Sequence, residues 1–192
     1  MDYLKIIGID RNDITKVIYS HFHPAHIGWT SIEKNGKIVL TFPNADYYSS
    51  KNEWDFWKDE TEGLISTDPL RFKKLLEEKI KFVKDREEII PNLYVKYEFG
   101  HTPGLINLIL YIDNKRIWFM SNVIHSDIQF ENPYWNFSTD NNGEKAIKTR
   151  FHIFEDLSMP KTIIANGNLI GEAFGILTKE EEGKYKYESY TK

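Results

Sequence analysis

The sequence predicts an α/β (α+β) fold in which helices pack on β-sheets, and three observations support this prediction. Short apolar runs with strand character alternate with helical patterns along the chain. Charged residues make up 28% and aromatic residues 15% of the sequence, as in globular domains. A chain of 192 residues is long enough to bury one sizeable core, so we expect residues 1–192 to form a single domain.

The first part of the chain begins with a short apolar helix pattern that Gly8 ends. Apolar and β-branched runs predict strands over 15–20, 37–42 and 46–49. Ser50 and Glu53 fit a capping box, so a helix is expected to begin there. A longer helix is predicted from Asp68, because Pro69 suits its first turn and apolar residues recur at helical spacing. Its predicted apolar face contains Phe72, Leu75, Leu76, Ile80 and Val83.

The second part of the chain is richer in strand patterns. Alternation predicts a strand over 93–99, and the runs 106–112 and 116–120 flank turn residues and form a hairpin. Residues 144–157 show helical periodicity, with Ile147, Phe151 and Phe154 expected to face the core. Late strands are predicted over 161–165 and 174–177.

Composition excludes several classes of function. The net charge is −4 with both signs interspersed, so no basic patch indicates nucleic-acid binding. The chain has no cysteine, so any metal must be bound by imidazole, carboxylate or amide groups. The apolar stretch 108–112 is too short to span a bilayer, and residues 1–5 lack a signal-peptide pattern. We therefore expect a cytoplasmic protein that does not bind membranes.

The histidines form the pattern with the clearest chemical meaning. Three of the six histidines, His21, His23 and His26, follow a predicted strand within six residues. On an extended segment His21 and His23 point the same way, so both can reach one ion. His101 lies in another loop after a strand, between Gly100 and a Thr-Pro-Gly turn. Three neutral imidazoles from two loops suit zinc, with a fourth position left for water.

Ordinary structural roles can also explain these residues. A His-x-His pair by itself is as common among surface and core histidines as among ligands. His125 is expected either behind a metal ligand or at the surface, and His152 on the solvated side of its helix. The aromatic residues Trp29, Trp54 and Trp57 can line an apolar substrate pocket, but aromatic residues at helical spacing more often belong to a core.

The segment 21–28 resembles the His-x-His-x-Asp-His motif of the metallo-β-lactamase superfamily, and 100–104 resembles its second motif. The stretches 41–45 and 53–57 are similar to the lactonase and organophosphate-hydrolase-like branch. Residues 121–125 and 166–168 stand where that family has its Gly-Asp motif and last histidine. The resemblance implies an αββα sandwich with metals at one edge.

The resemblance implies that His21, His23 and His101 bind one metal ion, for which imidazole ligands favour zinc over iron or manganese. At the positions of the second ion's ligands the chain has Ala25, His26, Asn122 and Asn168. Ala25 and Asn122 replace the carboxylates that orient water and bridge two cations, so at most one zinc is expected. His26 is left as a weak ligand or a proton relay.

Two hypotheses of different classes follow. In the first, the chain is a zinc hydrolase of lactones or esters that is slow because it lacks a general base. In the second, it is a non-catalytic relative, either a binding or assembly module or the product of a decaying gene. The first motif begins only 20 residues from Met1, whereas several strands usually precede it in the family. If those strands are missing, an open sheet edge is expected to favour a homodimer or another partner.

Overall fold

The structure is a computed structural model that describes residues 2–59, 74–169 and 173–190. The chain divides into two compact units, Met1–Val83 and Lys84–Lys192. The expectation of one domain over 1–192 stays a prediction. Among the helices of the described ranges, none combines the length and the apolar character needed to cross a bilayer. The cytoplasmic location likewise stays a prediction.

The first unit contains two small sheets and short helices. Its elements are α1 (Asp2–Ile6), β1 (Lys16–Ile18), α2 (Pro24–Ile27), β2 (Ser31–Lys34), β3 (Lys37–Leu40), β4 (Asp46–Ser50), α3 (Lys51–Asp59) and β5 (Ile80–Val83). Strands β1, β4 and β5 form a parallel sheet in the order β1-β4-β5. Strands β2 and β3 form a hairpin whose turn residues, Asn35 and Gly36, have φ values of 53° and 72°. This left-handed turn matches the twist of paired strands.

The sequence predicts most of this unit, but one helical prediction is partly wrong. Residues 68–73 of the helix predicted from Asp68 lie outside the described residues. Ile80 and Val83, assigned to that helix's apolar face, lie in β5, where they pair with Tyr47 and Ser50 of β4. A short apolar run fits both a helix face and a buried strand, and the parallel pairing with β4 decides for the strand.

The second unit is built on one large sheet. Its elements are β6 (Glu88–Ile90), β7 (Leu93–Tyr97), β8 (Ile106–Ile112), β9 (Lys115–Phe119), α4 (Ile128–Glu131), α5 (Gly143–Leu157), β10 (Thr162–Ala165), β11 (Phe174–Lys179) and β12 (Tyr185–Ser189). The strand order is β12-β11-β10-β9-β8-β7-β6, and among the described strands of this sheet only the β9–β10 pair is parallel. The predicted hairpin is present as β8 and β9, turning at Asp113 and Asn114 with φ values of 48° and 59°.

Helix α5 buries a face that differs from the predicted one. Its buried residues are Ala146, Arg150, Ile153, Phe154 and Leu157. Of the residues predicted to face inward, Phe154 is buried, Ile147 is half-buried and Phe151 is 36% exposed. Phe151 instead packs edge-on against the ring of Tyr134. The prediction failed because it placed an arginine outside the core, whereas Arg150 is fully buried.

Glu98, just after β7, is a buried carboxyl group with little compensation. It is 4% exposed, and among the described residues its Oε1 has no hydrogen-bond partner. The nearest cation is the Nζ of Lys96, which lies 3.8 Å from that oxygen. Burial raises the pKa of Glu98 from 4.5 to about 7. The folded protein therefore resists ionisation of this carboxyl group.

Replacing Glu98 with glutamine is expected to stabilise the protein above neutral pH. Because the folded pKa is raised, the stability of the wild type is highest below about pH 4.5 with respect to this group, and part of it is lost as pH rises through about 7. Glu98→Gln removes that loss, which we estimate at about 2–3 kcal/mol. Urea unfolding at pH 5 and pH 8 measures the effect. The same difference at both pH values would contradict it, and the exposed Glu144→Gln serves as the control.

Candidate metal centre

The first candidate segment is the loop that follows β1. His21 is fully buried, His23 is half-buried, and their ring centroids are 4.9 Å apart. The backbone at His23 is extended, with ψ of 148°, and Pro24 begins α2 directly after it. His26, in the last turn of α2, is exposed, yet its ring centroid lies 4.1 Å from that of His21. The first unit therefore groups the imidazoles of His21, His23 and His26 in the segment that follows β1.

A buried carboxylate holds this histidine loop to α3. Glu53 is fully buried, and its Oε1 accepts hydrogen bonds from the Phe22 backbone N–H at 2.9 Å and from the Trp57 indole N–H at 2.5 Å. The N–H of Glu53 donates to the Oγ of Ser50 at 3.1 Å, so the predicted cap at Ser50 is present. Charge-assisted bonds to a buried carboxylate fix the residue between the two histidines.

The tryptophans have different environments. Trp57 is 6% exposed and belongs to the core of the first unit, against which the half-buried Trp54 packs. Trp57 also lies beside a candidate ligand, because its ring centroid is 5.3 Å from that of His23. Trp29 is 61% exposed. Trp54 and Trp57 therefore have the core role that their helical spacing predicts.

The loop carrying His101 depends on a close contact between two backbones. Gly100 has a φ of 137°, and a Cβ atom there would lie 2.5 Å from the backbone of Ala146 in α5. The N–H of Asn141 donates to the carbonyl of His101 at 3.0 Å, and the N–H of Asn142 to that of Gly100 at 2.9 Å. Only glycine fits this position, and the contact places His101 at the start of α5.

His101 is 2% exposed and has a partner at each ring nitrogen. Its Nδ1 lies 2.9 Å from the Oδ1 of Asp140, and its Nε2 lies 3.2 Å from the Nδ2 of Asn122. The other carboxylate oxygen of Asp140 accepts a hydrogen bond from the Phe137 backbone N–H at 3.0 Å. Burial alone would raise the pKa of Asp140, but the bonds from His101 and Phe137 hold it below its ordinary value.

Arg150 supports this arrangement from α5. Its Nε donates to the carbonyl of Val123 at 3.1 Å, and its Nη1 donates to the carbonyls of Pro133 and Trp135 at 2.6 and 2.7 Å. Its Nη2 lies 3.6 Å from the Oδ2 of Asp140. Burial lowers the pKa of Arg150, and the charge of Asp140 opposes that effect. Neither Asp140 nor Arg150 was predicted from the sequence, although an arginine four positions before Phe154 on an apolar helix face is a usable signal.

Asn122 and Asn168, which stand at predicted ligand positions of a second ion, form a hydrogen bond with each other. The Nδ2 of Asn168 donates to the Oδ1 of Asn122 at 3.0 Å and lies 3.2 Å from the carbonyl oxygen of Ile124. Ala25, in α2 of the first unit, is exposed and has no side-chain donor or acceptor. None of these three side chains carries a charge or an imidazole, and His26 is the only imidazole among the predicted positions of the second ion's ligands.

His125 and His152 complete the inventory of histidines. The ring of His125 stacks on Phe137 at 4.2 Å and lies 4.8 Å from the ring of His101. Ligand-type atoms of His101, His125 and Asp140 all lie within 4.8 Å of one another. His152 is exposed, as expected. Of the two roles predicted for His125, the position next to a candidate ligand agrees with the structure.

The imidazoles on the histidine loop and at His101 suit zinc by their chemistry. The Nδ1 of His21 lies 3.1 Å from the Oγ of Ser20, and the Nδ1 of His101 contacts Asp140. In each case a contact at Nδ1 orients the ring, an arrangement that is usual for zinc-bound histidines, and the Nε2 of His101 also faces the amide of Asn122. Imidazoles held in this way are of the donor type that zinc prefers.

A family model described as the metallo-beta-lactamase superfamily matches residues 1–143. No curated protein sequence matches the chain.

Solved structures resemble the chain over most or all of its length. AidC, a dizinc quorum-quenching lactonase, is 28% identical with a TM-score of 0.85, over 100% of this chain and 69% of that one. The hydrolase AbOPH of the beta lactamase superfamily is 24% identical with a TM-score of 0.83, over 100% and 69% of the two chains. An N-acyl homoserine lactone hydrolase is 19% identical with a TM-score of 0.65, over 88% and 61%. This likeness confirms the predicted α+β fold.

Proposed function

The chain belongs to the metallo-β-lactamase superfamily, and from this membership we propose that it binds one zinc ion on His21, His23 and His101 and hydrolyses a lactone or ester slowly. One observation carries the proposal: the imidazoles of one predicted site are kept, whereas Asn122 and Asn168 of the other bond to each other. An open coordination position suits catalysis, and the missing carboxylates limit its rate.

A zinc ion bound by three imidazoles supplies a Lewis acid that polarises a carbonyl and lowers the pKa of water to about 7. The chain's own residues determine how far that chemistry is used. Ala25 cannot accept a proton, so the general base of the family is absent at this position. His26 is exposed beside His21 and can pass a proton to solvent. The missing base costs about 10²–10⁴ in rate.

The substrate class comes from the relatives. AidC is a lactonase, and another similar structure is an N-acyl homoserine lactone hydrolase with its product at the catalytic metal centre. We propose a small lactone or ester as the substrate of this chain. The negative net charge gives no reason to expect a nucleic-acid substrate.

The alternative is a non-catalytic relative that binds a partner or is decaying. Two observations favour it: the hydrogen bond between Asn122 and Asn168, and the absence of a donor at Ala25. Under this alternative His101 has no functional role beyond structure. A biological effect that disappears with His101→Ala but survives exposed control changes would exclude it.

The metal content of the purified protein tests the main proposal. We expect about one zinc per chain, because three imidazoles suffice for a site with one open position. His101→Ala is expected to lose the zinc, since two imidazoles bind it much more weakly. Elemental analysis after removal of free metal measures both proteins.

The matched control is His152→Ala, because His152 is exposed and lies outside the proposed ligand set. This variant should retain zinc. Absence of zinc from the wild type after zinc addition, or its retention in His101→Ala, would refute the proposed site. Two ions per chain would refute the claim that the second site is lost.

We also propose that the chain associates through a sheet edge, with a second copy as the first candidate. Strand β1 is an outer strand of the β1-β4-β5 sheet within the described residues, and such edges pair readily. Tyr3 and Ile6 of α1, in the same unit, are 85% and 77% exposed. Light scattering that gives a monomer at all concentrations would contradict self-association.

A further inference from the structure

We propose that Asp140 is a positioning residue that fixes the tautomer of His101, with the proton on Nδ1 and the lone pair on Nε2. A neutral imidazole carries one proton, and its partners decide which nitrogen holds it. Nothing in the family match assigns a role to Asp140. The inference rests on the proposed function, because the tautomer matters most if His101 binds a metal through Nε2.

The donors around Asp140 indicate that the Nδ1 of His101 carries the proton. The Phe137 backbone N–H can only donate, and it points to one carboxylate oxygen at 3.0 Å. The guanidinium of Arg150, which also only donates, lies 3.6 Å from the same oxygen. A carboxyl group beside two such donors is ionised at neutral pH, so its other oxygen can only accept, and the proton of the 2.9 Å contact belongs to the Nδ1 of His101.

The hydrogen bonds near Nε2 of His101 independently indicate the same tautomer. The carbonyl of Ile124 can only accept, so the atom of Asn168 that faces it at 3.2 Å is its amide nitrogen. That nitrogen also donates to Asn122, so the oxygen of the Asn122 amide faces Asn168. The nitrogen of Asn122 is then the atom that lies 3.2 Å from the Nε2 of His101. Nε2 must accept this bond, and it carries the lone pair.

Arg150 keeps Asp140 in place through the loops on either side. Its three bonds to carbonyl oxygens join the loop after β9 to the loop after α4. Asp140 is 1% exposed in its side chain, so water cannot replace these partners easily. A carboxylate at Nδ1 orients the ring and makes Nε2 more basic, which favours metal binding once the Asn122 amide is displaced from Nε2.

Nitrogen-15 NMR of histidine-labelled, metal-free protein tests the proposal directly. We expect the wild type to show His101 with a protonated Nδ1 and an unprotonated Nε2, and Asn122→Ala to show the same because Asp140 alone is sufficient. Asn122→Ala with Asp140→Ala should lose this preference. Asn122→Ala with Asp140→Asn should restore it, since the amide oxygen can accept the same bond.

Zinc titration gives the second readout. Asp140→Ala should weaken zinc binding about 10–100-fold, which is typical for loss of a ligand's supporting carboxylate. Asp140→Asn should weaken it less, and Glu144→Ala, on the exposed face of α5, should leave it unchanged.

The outcomes separate this inference from the proposed function. A wild-type His101 with its proton on Nε2 would overturn the inference even if zinc binds. An unchanged tautomer in Asn122→Ala with Asp140→Ala would overturn it as well. The expected tautomers without zinc binding would support the inference and refute the proposed function. If the alanine variants do not fold, the wild type and Asp140→Asn still decide, because both keep an acceptor at Nδ1.

Discussion

Replacing Arg150 with methionine is expected to lower the free energy of unfolding by about 3–5 kcal/mol, as for other buried charges whose partner is removed. Methionine fills a similar volume but donates no hydrogen bond. The carbonyl oxygens of Val123, Pro133 and Trp135 would lose their donor, and the buried carboxylate of Asp140 would lose its nearby cation. Urea unfolding at neutral pH measures the change.

Two further variants separate charge from geometry. Arg150→Lys keeps the positive charge, but one ammonium group cannot reach all the carbonyls that the forked guanidinium reaches, so an intermediate loss is expected. Lys148→Met, on the exposed face of the same helix, should change stability by less than about 0.5 kcal/mol. A loss below about 1 kcal/mol for Arg150→Met would show that water or a rearrangement satisfies these carbonyls.

The second large effect is expected at Ala25, Asn122 and Asn168, which stand where the family's second metal ion has its ligands. A triple variant with Ala25→Asp, Asn122→Asp and Asn168→His is expected to bind a second zinc and to hydrolyse a lactone about 10²–10⁴ times faster than the wild type. The added carboxylates supply a general base and offset the repulsion between two cations. Metal analysis and lactone hydrolysis measure both effects on the same preparation.

The double variant with Asn122→Asp and Asn168→His serves as the control. It offers charge and an imidazole for a second ion but still has no carboxylate at position 25. If it gains metal without rate, the missing base limits catalysis. A triple variant that is fully loaded with zinc and no faster than the wild type would argue against a latent hydrolase and for the non-catalytic alternative.

The strands were predicted from the sequence to within a few residues where local patterns decide. The hairpin of β8 and β9 is an example, since Asp113 and Asn114 adopt the left-handed turn that their residue types favour. The assignment of Ile80 and Val83 to a helix failed because the deciding contact is pairing with β4, far along the chain. Strand β12 (Tyr185–Ser189) was missed for a similar reason, because its partner β11 supplies the ladder.

The residues of the candidate site were likewise predicted only where a local sequence pattern identifies them. Motif spacing is enough to select His21, His23 and His101, because ligands follow strand ends. Asp140 lies 39 residues from His101 along the chain, and no local pattern connects them. The role of Glu53 was predicted only in part, since its backbone N–H bonds to Ser50 but its carboxylate reaches Phe22.

The contact of Trp57 with the histidine loop gives this protein a built-in optical reporter. The indole N–H is bonded to Glu53, which also holds Phe22, and the ring lies 5.3 Å from that of His23. Any change at His23 therefore alters the surroundings of a buried fluorophore. Emission from Trp57, isolated by replacing the other tryptophans with phenylalanine, would follow events at the loop in real time without an attached dye.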